Sequence, residues 1–192
     1  MSFDYAKAFE VIENNKHKLD VSQFMQLVIS TCKSIEPDQA WDEFSKLQYS
    51  LEVSELSGHV VSVLNKHPEN IDEQGFWFGI NNPVLKSGET SAGIYFSVSS
   101  TYDPNDEDTD WACNAEFYPE DGYFKSLIMQ QIYSLAYGAS KLGNKAEYTL
   151  CMAYGLKLAQ AAMQRYKEAN PGHKVGFAMG FDSGDFINIG WI

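Results

Sequence analysis

Apolar positions along this chain recur at two different spacings, and the change from one to the other divides it. Near the start, Phe3, Ala6, Phe9 and Ile12 fall about one helical turn apart behind a capping Ser2. Asp20 precedes VSQFMQLVISTCKSI, where Phe24, Leu27, Val28, Thr31 and Ile35 form a second apolar stripe. Pro37 and Asp38 open a third, carrying Trp41, Phe44, Leu47 and Leu51. That pattern continues past a break near Ser57 and Gly58 and stops at Pro68. Residues 1–68 therefore read as three or four helices, followed by the polar connector HPENIDEQG.

From Gly75 the period is two. GFWFGI is a short aromatic run, and AGIYFSVSS sets Ile94, Phe96 and Val98 against Tyr95, Ser97 and Ser99. DWACNAEFY alternates as well, with Trp111, Cys113, Ala115 and Phe117 opposite Ala112, Asn114, Glu116 and Tyr118. This predicts a third strand, antiparallel to the second, with one wet face. Helical spacing returns with Phe124, Leu127, Ile128, Ile132 and Leu135, breaks at Gly138 and Gly143, and resumes from Tyr148 to Tyr166. VGFAMGF and FINIGWI then form a hairpin around DSGD, with Ile187, Ile189 and Trp191 on one face. The order over 75–192 is βββ-αα-ββ. It predicts a single α+β domain spanning 1–192, in which N-terminal helices precede an antiparallel sheet of about five strands with helices packed on one face.

Composition supports a packed core: of 192 residues, 44% are hydrophobic and 14% aromatic. Charge changes the picture more. Lys and Arg total 14 against 26 acids, a formal charge of −12, and no Lys, Arg or His occurs between Lys86 and Lys125. That interval holds Glu89, Asp103, Asp106, Glu107, Asp108, Asp110, Glu116, Glu120 and Asp121. Such a surface repels phosphate backbones and anionic membranes and attracts basic proteins or cations. With Arg165 the only arginine, nucleic-acid recognition is not expected.

Cys32, Cys113 and Cys151 are odd in number and far apart, with no CxxC or Cys/His zinc spacing, so reduced thiols are expected. The segment MSFDYAKAFEVIENNKHK has neither the basic nor the apolar region of a secretory signal, and no apolar run reaches membrane-spanning length. These features predict a soluble cytoplasmic protein, monomeric or weakly dimeric.

The acidic stretch STYDPNDEDTDW offers a partial calcium-loop pattern: Asp103, Asn105, Glu107 and Thr109 fall at positions 1, 3, 5 and 7. Asp108 then stands where glycine is needed, and Asn114 where a bidentate glutamate is needed, so no metal site is expected. Acid–base catalysis would require desolvated carboxylates, which a loop of this composition does not supply. GFDSGD resembles a nucleophile elbow only superficially: Ser183 lies between strands, beside the turn formers Asp182, Gly184 and Asp185. The four histidines are scattered, and GASKLGNK departs from the phosphate-loop pattern at Asn144. No cofactor and no catalytic residue is expected.

In size and charge the chain is similar to small bacterial proteins that neutralise a cognate toxin, a likeness of class that transfers no residue roles. The function expected is a non-catalytic acidic protein engaging a basic partner, in its sharpest form an inhibitor or immunity-type protein acting on a toxin or nuclease. Asp103, Asp106, Glu107, Asp108 and Asp110 would steer the encounter, and Trp111, Tyr118 and Tyr102 would anchor it. The alternative is a small-molecule-binding domain or an enzyme with a pocket between sheet and helices, drawing on His59, Cys113, Asp182 and Ser183.

Overall fold

Asp4 and Asp20 start the first two helices. Their side chains accept from the backbone N–H of Lys7 (3.1 Å) and Gln23 (2.9 Å), satisfying donors that the first helical turn leaves open. The computed structural model describes residues 3–66, 74–83, 85–87, 90–106, 109–113, 115–181 and 185–192. It contains α1 (Tyr5–Asn15), α2 (Val21–Ile35), α3 (Trp41–Phe44), α4 (Val53–Leu64), β1 (Gln74–Asn81), β2 (Gly93–Ser99), α5 (Asp110–Cys113) and β3 (Phe124–Lys125). There follow α6 (Leu127–Ser134), a π-helical turn (Leu135–Ala139), α7 (Asn144–Ala169), β4 (Val175–Phe181) and β5 (Phe186–Trp191). The class is α+β.

The five strands lie in the order β3-β2-β1-β4-β5. The sheet is mixed rather than antiparallel, because β1 pairs parallel with β4, with Phe76 opposite Phe177 and Phe78 opposite Met179. Adjacent in space but far apart in sequence, these two strands are joined through α6 and α7, the kind of long crossover that parallel neighbours require. Chain order alone predicts an antiparallel sheet.

Helix α7 organises the interior. From Thr149 to Leu156 every side chain is buried, so this helix has no wet face over its central turns. It contacts β1 and β4 and also α1, α2, α4 and α6. Its close approach to the sheet depends on Gly155, where a Cβ would stand 2.2 Å from the Met179 Cε. One apolar cluster includes Phe24, Trp41, Val60, Phe78, Phe96, Leu150 and Phe177, drawing on helices from both ends of the chain and on the sheet.

Three local expectations are corrected. The third apolar stripe breaks after Phe44 and resumes at Val53, so Ser57 and Gly58 lie inside α4. Among its described residues the segment DWACNAEFY forms no strand: Asp110–Cys113 is one helical turn, and Phe117 makes an isolated bridge to Val98. The third strand is Phe124–Lys125 instead.

Trp191 also leaves the face of Ile187 and Ile189. A bulge skips Ile189, pairing Phe177 with Gly190 and Ala178 with Asn188, and Gly190 adopts φ +100°, which a side chain would oppose. The bulge rotates Trp191 to the opposite side of the sheet, where its ring centroid lies 4.7 Å from that of Tyr102. The hairpin turn at 182–184 lies outside the described residues.

Candidate functional site

The sheet has a second face, and the acidic segment crosses it. This face presents little side chain: Gly75 and Gly79 on β1, and Gly176, Ala178 and Gly180 on β4, alternate with the residues that point into the helical side. Aromatic rings take the space the missing side chains leave. Tyr102 lies on Gly176 and Trp111 on Gly75, while Tyr95 covers Gly79. Trp77, Tyr102, Trp111, Ala112 and Ala178 form a second, smaller apolar core, with Tyr95 and Phe186 packed against it.

The segment leaves β2 at Ser99, whose hydroxyl donates to the Trp111 carbonyl at 2.5 Å. Ser100 donates from its backbone N–H (2.7 Å) and its hydroxyl (2.6 Å) to the Glu116 carboxylate. These donors, the hydroxyl foremost, hold the Glu116 carboxyl below its ordinary pKa. Tyr102 donates to the Asn188 side-chain oxygen and accepts from the Gly190 N–H at 3.1 Å. Burial raises its pKa. Asn188 in turn donates to the Pro104 carbonyl at 2.8 Å, and Asp103 accepts from the Asn105 N–H at 2.8 Å in a tight turn. The chain descends again through Thr109, at φ +52°, into α5. Tyr102 and Trp111 meet edge to face, 4.9 Å between centroids. The result is a strap fastened at both ends, with its acids between and beyond the fastenings.

The residues expected to contact a partner divide accordingly. Asp103 and Asp110 are exposed and Asp106 is half-buried, whereas Glu107 and Asp108 lie outside the described residues. Tyr118 is 56% exposed, its hydroxyl donating to the Ala112 carbonyl at 3.5 Å. Tyr102 (9% exposed) and Trp111 (6%) are core residues and not surface anchors. Their rings are committed to the glycine face, so the correction follows from packing: a ring filling a hole within its own chain has little area left for another molecule. Farther along, Asp121 pairs with Lys66, whose ammonium lowers its pKa.

The residues considered for catalysis do not converge among the described residues. His59 stands on α4 with its ring 5.8 Å from Phe124, on the helical side of the sheet. Cys113 is exposed in α5, on the opposite side. Asp182 and Ser183 lie outside the described residues. No group of three His, Cys, Asp or Glu side chains is placed to hold a metal ion among the described residues.

Sequence reasoning passed over two features. Glu52, 3% exposed, accepts from Ser126 Oγ (2.6 Å), Leu127 N (2.5 Å) and Tyr154 OH (3.2 Å), so it binds the start of α6 to α4 and α7. Nothing local marked it, since its donors lie far along the chain. The other is a cleft at the α1–α2 turn, where the cluster Lys16-His17-Lys18 was a visible but unused signal in an acidic chain. No known protein family, curated protein or solved structure matches the chain. No helix among the described residues is long and apolar enough to cross a membrane.

Proposed function

We propose that the protein is a non-catalytic binding protein whose acidic strap engages a basic protein partner, in the manner of an inhibitor or immunity protein acting on a toxin or nuclease. One observation carries this reading: Asp103, Asp106 and Asp110 are borne by a strap fixed to the sheet by Tyr102 and Trp111. A fixed array of carboxylates loses less conformational entropy on binding than a mobile tip would, and its field selects and accelerates partners of opposite charge. Asp103, Asp106 and Asp110 steer the approach, with Glu107 and Asp108 in the same stretch. Tyr118 is an exposed ring whose hydroxyl donates to the Ala112 carbonyl, two residues beyond Asp110. A cytoplasmic setting accords with the three free thiols.

The test is affinity capture from native lysate at low salt followed by a high-salt wash, in parallel with a variant carrying Asn or Gln at all five loop acids. Exposed charges are screened over about 10 Å at 0.1 M salt, so a partner held this way leaves as salt rises. A basic protein retained by the native chain, released by salt and missed by a normally folded variant is the expected result. Equal capture by both chains would overturn the assignment.

A further inference from the structure

Lys157 lies midway along α7 and lines a cleft of about 440 Å³ bounded by the α1–α2 turn, α7 and the β4–β5 hairpin. The size is that of a small-molecule site. Its floor is apolar, made by Val21, Val53, Phe177 and Ile189. Two ammonium groups border it, and they differ. Lys16 is occupied, donating to Glu13 Oε2 at 2.6 Å and to the Asn188 carbonyl at 2.7 Å. Lys157 donates to the Lys16 carbonyl at 2.9 Å and lies 5.2 Å from the centre of the Phe24 ring, and it pairs with no carboxylate among the described residues.

In a chain with 26 acids, a half-buried ammonium without a carboxylate is unusual chemistry. It has given up hydration, and among the described residues its direct contacts in exchange are a carbonyl and a ring face. Burial lowers its pKa, against a smaller opposing pull from Asp20. His17, in the same cleft, is held below its ordinary value by burial and by both lysines, so it adds no full charge near neutral pH.

We infer that this cleft binds a small amphipathic carboxylate, with its anionic head on the Lys157 ammonium and its apolar body on the floor formed by Val21, Val53, Phe177 and Ile189. A single negative charge fits best, because Asp20 lines the same cleft and opposes a second. The site is separate from the strap, which lies on the other face of the sheet, so the two assignments stand or fall independently.

Calorimetric titration of the whole protein with sodium octanoate tests the site, with octan-1-ol and octylamine as probes that lack the anion. Lys157→Met removes the charge and keeps the packing stem; Ala161→Trp fills the cleft and leaves the charge. Near-UV circular dichroism verifies folding of each, and Lys157→Gln substitutes should the methionine variant misfold. Saturable octanoate binding is expected, weakened about tenfold or more without the ammonium and lost when the cleft is filled, with the alcohol and the amine binding more weakly. Absence of saturable octanoate binding, equal affinity in the charge-removed variant, or binding indifferent to the tryptophan would each overturn the inference.

Discussion

The Tyr102 ring occupies the volume above Gly176 that any other residue would fill: a Cβ built there stands 2.1 Å from Tyr102 Cδ1. A strand glycine usually weakens a sheet, and here a ring from a distant segment covers it. Gly176→Ala is therefore expected to expel the ring and cost about 1–3 kcal/mol. Gly138→Ala, where an added Cβ meets nothing within 4 Å, is expected to be neutral or stabilising by up to about 1 kcal/mol. Chemical denaturation of the two variants checks the difference between them.

Glu52 is surrounded by donors: Ser126 Oγ, Leu127 N and Tyr154 OH all point at its oxygens. Glu52→Gln replaces an acceptor with a donor among them, leaving buried hydrogens opposed. A loss of about 1–3 kcal/mol in the urea midpoint analysis is expected. Glu55→Gln on the exposed side of α4 is the comparison, with a change within about 0.5 kcal/mol.

Cysteine reactivity follows burial. Cys32 is pushed up to about 12 by desolvation, and Cys151 is raised well above its ordinary value by desolvation and then by Glu147. Neither is a thiolate near neutral pH, while Cys113 is exposed. Iodoacetamide at about pH 8 should label Cys113 alone in the folded protein and all three thiols after denaturation, as read by peptide mass spectrometry. Labelling of Cys151 in the native state would contradict the packing of α7.

Glu147 links stability to pH. Burial raises its pKa above the ordinary 4.5, and the hydrogen bond from Asn82 (2.8 Å) only partly opposes the shift. A carboxyl raised in the folded state binds its proton more tightly there, so ionisation penalises folding once pH exceeds 4.5. Below that value both states are protonated and the penalty vanishes. Glu147→Gln keeps the acceptor for Asn82 and removes the titration. Its stability relative to the native chain should therefore rise between acid and neutral pH, measured as denaturation midpoints across that range.

Much of this arrangement was legible in the chain. The alternation of Ile94, Phe96 and Val98 and the stripe from Phe24 to Ile35 identified β2 and α2, because a period of two or of 3.6 sustained over several residues marks an apolar face. The other face of β2, expected to be wet, is covered too, with Ser97 and Ser99 buried. The segment around Trp111 misled for a related reason. Over four residues, one helical turn and an alternating strand can bury the same side chains, and Trp111 is directed by Gly75, a partner no local window contains. The acids of the candidate site were visible as charge. That Tyr102 and Trp111 are fasteners and Tyr118 the exposed ring was not.

The sequence by itself determined the α+β class, the start of α2 behind Asp20, and the concentration of negative charge between Lys86 and Lys125, which rest on periodicity, composition and neighbours within a few residues. Tertiary structure alone decided the parallel pairing of β1 with β4, the carboxylate of Glu52 at the start of α6, the rotation of Trp191 by the bulge at Gly190, and the ammonium of Lys157 beside its cleft, unpaired among the described residues. Each of these is a contact between segments far apart in the chain, selected by which shapes and donors fit together once the core has closed. Periodicity records which side of an element is buried; it carries no record of what is buried against it.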